Sequence, residues 1–304
     1  MNTWIPLISR RVYKLLGHEA ADLLQGISTN DMRLLRHQNG IFTVFLNRQG
    51  RFLADAFVFY HEGQLYLEYD ISHDKIIQEL FIKYGPLHTV QLQNMPWLVL
   101  SFSGPESEPL YKAVKAYVQE RCGIMFRDPR HSHLGVRVVI SYAHWHETPH
   151  PLCVPESETH YRTLCIENGI PSGAQDLISE RTLILEYFYH FHHSISWSKG
   201  CYVGQEVLAR TFHQKLFRKG LFRITHLQCS VVPKVGDAVF DTNGHVQGIW
   251  GKVCSGQGLL SLEESWALQW VNTQNFECRG DNGTVITGKL LSSITLPIAC
   301  PQGV

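Results

Sequence analysis

Short strand-like runs separated by turn residues fill much of the first part of the sequence. Residues 40–46, 51–60 and 64–69 are rich in Phe, Val, Leu and Tyr, and polar turns that contain glycine separate them. Such runs are expected to pair as an antiparallel meander. Segments with apolar residues at helical spacing, 15–24 and 72–84, flank the meander. Strand runs grouped around helices predict an α+β fold.

The pattern changes beyond about residue 225, where shorter apolar runs alternate with closely spaced turns. Closely spaced strands with turn signals predict a small all-β barrel or sandwich. We therefore divide the chain into residues 1–225, an α+β module of two interwoven subdomains, and residues 226–304, a C-terminal β module. Three prolines within 147–158 mark the predicted crossover between sub-modules.

The charge balance limits the classes of partner. The chain has 27 Lys and Arg against 27 Asp and Glu, so no net field attracts nucleic acid or anionic lipid. No apolar run approaches the roughly 18 residues that span a bilayer. We therefore expect no direct nucleic-acid partner and no membrane partner.

The cysteines and histidines bear on location and metal binding. Eight cysteines are spread along the chain with no C-x-x-C pair, which predicts a reduced, intracellular protein, assigned here to the cytoplasm. The histidines at 190, 192 and 193 lie among aromatic residues. Because zinc needs three or four convergent donors, we predict no metal site.

One segment combines a lysine, two glycines and a cysteine: Lys199-Gly200-Cys201-Tyr202-Val203-Gly204-Gln205-Glu206. Glycines let the backbone turn sharply and approach a ligand closely. A helix-like stretch follows, and its free N–H groups together with Lys199 favour the thiolate of Cys201. Cys201 is therefore the candidate reactive cysteine. The alternative is a tight turn whose cysteine only fills space, and spacing alone does not decide between the two.

This segment resembles the K-G-C-Y-x-G-Q-E signature of the YgfZ-type folate-binding proteins, relatives of the aminomethyltransferase (T-protein) of the glycine cleavage system. Other stretches resemble motifs of the same family and occur in order along the chain. They are 24–31 (L-Q-G-x-x-T-N-D), 46–51 (L-x-x-Q-G-R), 128–137 (D-x-R…L-G-x-R), 169–171, 176–177, 209–211 and 218–219.

The resemblance implies a fold and a function. The fold is a ring of three subdomains, two antiparallel-sheet α+β modules and a C-terminal β-barrel, around a central hole that binds tetrahydrofolate or a one-carbon derivative. The function is support of the maturation or repair of iron–sulfur enzymes, mainly four-iron ones, with an indirect effect on tRNA modification. The implied partners are folate and, transiently, iron–sulfur client or assembly proteins.

The resemblance also implies roles for individual residues. Glu186 corresponds to a glutamate that contacts the pterin, and Asp55 to an aspartate that faces the reactive nitrogens of the cofactor. Arg210 and Arg218 are candidates for the folate glutamate tail. The signature supplies the remaining candidates: Gly200, Tyr202, Gly204 and Gln205 for cofactor binding, and Cys201 and Lys199 for catalysis.

Two departures from the family pattern leave alternatives open. Cys165 stands where relatives carry arginine, and Phe188 lies in an altered stretch after Glu186. One alternative is a folate-dependent one-carbon transferase of the aminomethyltransferase kind, so the sequence leaves open whether the protein is an enzyme. The other is a scaffold of the same fold that has lost folate.

Overall fold

The computed structural model describes residues 2–104, 108–144, 153–271, 276–281 and 283–292. The chain forms two compact units. One contains residues 1–47, 53–161 and 191–203, and the other residues 48–52, 162–190 and 204–304. Residues 204–225 thus belong to the unit that contains the C-terminal strands, whereas the predicted module boundary follows residue 225. Residues 147–152, half of the predicted crossover at 147–158, lie outside the described residues.

Among the described residues of the first unit there are ten strands and three α-helices, and a fourth α-helix begins there. The strands are β1 (Thr3–Pro6), β2 (Arg10–Leu16), β3 (Gly40–Leu46), β4 (Phe52–His61), β5 (Gln64–Asp70), β6 (Gln91–Met95), β7 (Trp97–Ser103), β8 (Ile124–Arg127), β9 (Val136–Ser141) and β10 (Val154–Pro155). The helices are α1 (Ala20–Ile27), α2 (Asp74–Tyr84), α3 (Glu108–Gln119) and α4 (Glu158–Glu167).

These strands form two five-stranded sheets. Their orders are β10-β1-β7-β9-β8 and β3-β4-β5-β2-β6. The second sheet, called here the meander sheet, contains β3, β4 and β5 as neighbours, and β4 and β5 pair antiparallel. The predicted meander is therefore confirmed.

One face of the meander sheet is an apolar core. Helix α1 contributes Leu23 and Leu24, and helix α2 contributes Ile77 and Phe81, against sheet residues such as Val58. Each helix presents its apolar side chains on one stripe, which is buried when it packs on a sheet. The position of β4 between β3 and β5 is thereby held firmly.

The other face of the meander sheet carries buried charges. Arg137 from β9 donates to both carboxylate oxygens of Glu68 on β5, and Arg10 on β2 donates from Nε to Glu68 at 2.6 Å. The Arg137 guanidinium also lies 4.0 Å from the ring centre of Phe57 on β4. Buried charges are tolerated only when they are paired and hydrogen-bonded, and this network joins the two sheets of the unit.

The described part of the second unit contains the C-terminal strands and three short α-helices. The helices are α5 (Gly173–Asp176), α6 (Gln205–His213) and α7 (Glu264–Val271). The strands are β11 (Lys219–Gln228), β12 (Ala238–Phe240), β13 (Val246–Trp250), β14 (Gly258–Glu263), β15 (Phe276–Arg279) and β16 (Val285–Ser292).

These six strands close into a barrel in the order β11-β14-β13-β12-β15-β16. Its interior contains Trp250, Leu260 and Phe276. A Cβ atom on Gly248 would lie 2.1 Å from the Ser261 carbonyl oxygen, so this close approach of two strands requires glycine. The predicted α+β class with two sheet modules and a C-terminal barrel is confirmed. No helix in the described part of the chain is long and apolar enough to cross a membrane.

Candidate functional site

Lys199 joins the signature segment to a distant motif. Its Nζ donates hydrogen bonds to the carbonyl oxygens of Ser28 and Asn30, both at 2.8 Å, and the side chain is buried. The backbone N–H of Val203 donates to the Gly26 carbonyl at 3.1 Å. The tertiary structure thus brings together two of the motifs that the sequence separates, 24–31 and 199–206.

The loop before Lys199 is held by the same distant motif. Thr29 Oγ1 donates to the Ser194 carbonyl at 2.7 Å, and Asn30 Nδ2 donates to the His193 carbonyl at 2.8 Å. The Ser196 N–H donates to the Thr29 carbonyl at 3.0 Å. Buried hydrogen bonds of this kind are costly to leave unmade, so the loop is well ordered on its buried side.

Burial also changes the protonation of Lys199. Removal of the ammonium from water lowers its pKa from 10.5 to about 8, although the nearby Asp31 carboxylate acts in the opposite direction. Asp31 is itself paired with Arg33, which lowers the Asp31 pKa to about 2. Near pH 8 the Lys199 amine is therefore a mixture of charged and neutral forms.

Cys201 lies on the exposed side of the same segment. Among the described residues, no hydrogen bond or ion pair joins Lys199 to Cys201, because the amine is directed to Ser28 and Asn30. Helix α6 starts only at Gln205, with Gly204 at the preceding cap position and a φ of 83°. The structure thus makes the thiol accessible, and it assigns the lysine an anchoring contact that spacing did not suggest.

Tyr202 points the other way, into the protein. It is 7% exposed, the Lys199 amine lies 5.0 Å from its ring centre, and burial raises its pKa. Its buried hydroxyl has no hydrogen-bond partner among the described residues. A buried polar group without a partner is rare. Gly200 faces open space, since a Cβ atom there would meet nothing within 4 Å.

Asp55 lies in β4 and is buried. Its Oδ1 is 3.9 Å from Nδ1 of His73, which is also buried. Sequence reasoning missed His73, because a single histidine at the start of a helix carries no recognisable signal. The only hint is the turn that precedes it, where Asp70 accepts a hydrogen bond from the Ser72 N–H.

Glu186 lies in the second unit, in a 3-10 helix over Ile184–Tyr187. Its side chain makes no hydrogen bond to any described residue. Burial raises its pKa, Lys219 and Arg51 oppose this shift, and Glu263 adds to it. The next turn contains Phe188 in the left-handed region, with a φ of 57°.

The other candidates of the second unit are more exposed. Arg210, in the last turn of α6, and Arg218, just before β11, are solvent-exposed, and Gln205 is half-buried at the start of α6. This unit therefore holds Glu186, Gly204, Gln205, Arg210 and Arg218, and the first unit holds Asp55, Lys199, Gly200, Cys201 and Tyr202.

His190 is surrounded by aromatic rings. Its ring centre lies 5.4 Å from that of Phe212, and Phe188 and Phe217 are also in contact. Burial lowers the pKa of His190 to about 4, so the imidazole is neutral at physiological pH. Across the described ranges, no three His, Cys, Asp or Glu side chains converge as metal ligands.

The chain has recognisable relatives, although no protein-family model matches it. It is 29% identical over 289 residues to the human mitochondrial iron–sulfur cluster assembly factor IBA57, covering 86% of this chain and 76% of that protein. It is 31% identical over 246 residues to the mouse protein, covering 73% of this chain and 66% of that protein. The IBA57 homolog of Neurospora crassa is 29% identical over 233 residues, with 70% of this chain and 51% of that protein covered.

The fold also has a solved counterpart. The structure matches the glycine cleavage system aminomethyltransferase T from Bartonella henselae with a TM-score of 0.67, over 95% of this chain and 84% of that chain. The sequence identity is 13%, so this likeness concerns the fold alone.

These relatives correct the expected location. The cytoplasmic assignment is wrong, because the human, mouse and Neurospora crassa relatives are mitochondrial proteins. The reasoning failed because scattered reduced cysteines are compatible with several intracellular compartments and do not select the cytoplasm. The chain is thus similar to the iron–sulfur cluster assembly factor IBA57, and it has the fold of the glycine cleavage system aminomethyltransferase.

Proposed function

We propose that this protein is a tetrahydrofolate-binding accessory protein that supports the maturation or repair of iron–sulfur enzymes. The relatives named as iron–sulfur cluster assembly factors support the second part. Its partners are then proteins of iron–sulfur assembly and the client enzymes, mainly four-iron ones. Effects on tRNA modification follow indirectly, through clients that modify tRNA.

The observation that carries the folate proposal is the environment of the Glu186 carboxyl group. It is half-buried and has no hydrogen bond to a described residue, and Lys219 and Arg51 oppose the upward shift of its pKa. A carboxylate can accept two parallel N–H bonds from the 2-amino-pyrimidinone edge of a pterin.

In this proposal each candidate residue binds a different part of the folate. Glu186 holds the pterin edge, Asp55 faces the reactive nitrogens, and the exposed guanidinium groups of Arg210 and Arg218 attract the carboxylates of the glutamate tail. When bound, tetrahydrofolate supplies nitrogen atoms that can carry a one-carbon group. Gly200, Gly204 and Gln205 shape the loop.

Cys201 is the proposed point of action on clients. Its side chain is exposed, while the flanking residues Lys199 and Tyr202 are buried. A thiol on a well-anchored loop can reach a partner surface without disturbing the core. This arrangement favours an accessory role over the alternative of a one-carbon transferase.

Two measurements test the proposal together. The first is calorimetric titration of the purified protein with tetrahydrofolate under anaerobic conditions, for which we expect saturable binding. The second is complementation of a deletion strain, read as the activity of four-iron enzymes. Binding without complementation supports a transferase, especially if the protein turns over a lipoyl-bound aminomethyl group. Complementation without binding supports a folate-free scaffold, and failure of both rejects the proposal.

A further inference from the structure

We infer that the segment from Arg210 to Arg218, called here the basic turn, binds a folate tail of several γ-linked glutamates and that Lys215 is the residue that makes tail length matter. The inference rests on the proposed function, in which Arg210 and Arg218 meet the glutamate tail. It adds Lys215, which no motif assigns, and it names the ligand class as polyglutamyl tetrahydrofolate.

The basic turn belongs to a long stretch of sequence without acidic residues. Residues 207–236 contain no Asp or Glu, and their six basic residues are Arg210, Lys215, Arg218, Lys219, Arg223 and Lys234. The whole chain, in contrast, is balanced at 27 basic and 27 acidic residues. A run with charge of one sign creates a local positive field that attracts anions.

The end of α6 places Lys215 at the surface. The N–H of Leu216 donates to the Thr211 carbonyl at 3.0 Å, and the N–H of Lys215 donates to the Phe212 carbonyl at 3.1 Å. This is the Schellman pattern, in which the residue after the helix cap has left-handed backbone and is usually glycine. Lys215 occupies that position with a φ of 50°, and its side chain is exposed. A lysine is uncommon in this conformation, so packing alone does not explain the residue.

The three cations of the basic turn are not neutralised within the described part of the chain. Arg210, Lys215 and Arg218 are exposed, and their side chains make no ion pair or hydrogen bond to a described residue. Two exposed acids lie close by: Glu206, one turn earlier in α6, and Glu264, whose N–H donates to the Arg218 carbonyl at 3.0 Å. Neither pairs with the three cations, so their charge is available to an external anion.

The number and spacing of these cations suit more than one glutamate. Arg210 and Lys215 are separated by about 8 Å along the end of α6, and Lys215 and Arg218 by at most about 10 Å of chain. A tail of one glutamate has two carboxylates, which cannot pair with three separate cations. Each further γ-linked glutamate adds one carboxylate along the length of the tail, so a longer tail can meet Lys215 as well as both arginines.

The first arm of the test varies the tail. Anaerobic calorimetry compares tetrahydrofolate that carries one, three or five glutamates. At about 0.05 M salt the wild type should bind the longer forms roughly three- to thirtyfold more tightly than the one-glutamate form, and this gain should shrink at about 0.5 M salt, because exposed ion pairs are screened. Equal affinity for all tail lengths overturns the inference and leaves the proposed folate function intact. Failure to bind any of the three forms rejects the folate function, and the inference with it.

The second arm removes one charge. Lys215→Asn keeps a residue that tolerates left-handed backbone, so it should fold, bind the one-glutamate form as the wild type does, and lose roughly two- to fivefold of the gain with tail length. Lys234→Asn is the matched control, because it removes an exposed lysine of the same acid-free stretch beyond the far end of β11, a strand of ten residues. It should keep the full gain. A gain that survives Lys215→Asn, or that Lys234→Asn reduces equally, overturns the role of the basic turn.

Discussion

The Lys199 amine donates a hydrogen bond to the Asn30 carbonyl at 2.8 Å, across 169 positions of sequence. Asn30 in turn donates from its side chain to the carbonyls of Phe42 and His193. The signature segment is therefore held against the motif at residues 24–31 by buried polar contacts. The exposed thiol of Cys201 is presented from this anchored base.

Lys199→Met should destabilise the protein. The substitution leaves the Ser28 and Asn30 carbonyls without their donor, and an unsatisfied buried acceptor costs about 1–3 kcal/mol. Thermal and urea unfolding measure the loss. Lys75→Met is the matched control, because the Lys75 side chain is 88% exposed, and it should change the free energy of unfolding by less than about 0.5 kcal/mol. Equal effects of the two variants would contradict the anchoring role.

The contribution of Lys199 to stability should rise with pH. In the unfolded chain this lysine keeps its proton up to about pH 10.5, whereas in the folded protein it loses the proton near pH 8. Between these values the unfolded state binds more protons, so raising the pH favours the folded state. The stability of the wild type relative to Lys199→Met should increase by about 3 kcal/mol across this window. A difference that stays constant with pH would show that burial does not perturb the amine.

Glu68→Gln should be strongly destabilising. Glu68 is fully buried; burial alone would raise its pKa, but Arg137 and Arg10 outweigh burial and hold the pKa below its usual value. Removal of one partner leaves a buried uncompensated charge, which costs about 3–5 kcal/mol. Urea unfolding measures the effect.

The matched control for Glu68→Gln is Glu79→Gln. Glu79 forms an exposed pair with Lys75 at 3.9 Å, and such pairs contribute at most about 1 kcal/mol. The Glu68→Gln loss should also grow smaller as the pH falls, since the wild-type carboxylate itself becomes protonated. If Glu68→Gln lowered the free energy of unfolding by less than about 1 kcal/mol, the buried network would have relaxed around the missing charge.

Glu186→Ala should weaken tetrahydrofolate binding. Loss of a charge-assisted contact to the pterin edge costs about 1.5–3 kcal/mol, or roughly one to two decades of affinity. Anaerobic calorimetry measures the change, and Glu277→Ala, an exposed substitution on β15, is the control. If the wild type binds and Glu186→Ala binds equally well, the pterin contact lies elsewhere.

Cys201 should be the first cysteine alkylated near pH 7. Its thiol is exposed, whereas Cys165 and Cys278 are buried and burial raises the pKa of Cys278 to about 12. The other exposed cysteine in the described ranges is Cys122. Mass spectrometry after brief treatment with a small excess of reagent gives the order of labelling. Labelling of Cys122 ahead of Cys201 would show that exposure on this loop does not make Cys201 the most reactive thiol.

The same cysteine should matter in cells. Cys201→Ser should keep the fold and folate binding but lose support of iron–sulfur enzymes, while Cys122→Ser should complement a deletion strain fully. Full complementation by Cys201→Ser would make the loop a structural turn.

The periodic spacing of apolar residues was sufficient to predict the strands and helices in which apolar positions repeat. The meander of β3, β4 and β5 and the apolar stripe of α2 were predictable, because side-chain period reports which face is buried. The change of pattern near residue 225 indicated the barrel, although its first strand already begins at Lys219. Strand boundaries depend on pairing partners, which local patterns do not contain.

The candidate site was only partly predictable. The glycines and cysteine of 199–206 indicated a loop with unusual chemistry, and the structure adds that the Cys201 thiol is exposed. The direction of the Lys199 side chain could not be predicted from the sequence, because its hydrogen-bond acceptors are backbone carbonyls, which every residue has. His73 escaped notice for a similar reason, because Asp55 lies on β4 and the residues around His73 do not reveal that proximity.

The sequence by itself determined the α+β class, the core stripes and the identity of the chemically distinctive segment, since these depend on local spacing and residue type. Only the tertiary structure decided which polar groups meet: the guanidinium of Arg137 with Glu68, the amine of Lys199 with the Asn30 carbonyl, and the imidazole of His73 with Asp55. The physical reason is that the energy of a buried polar group depends on partners within a few ångströms. Those partners come from elements far apart in the chain, and chain folding alone brings them into contact.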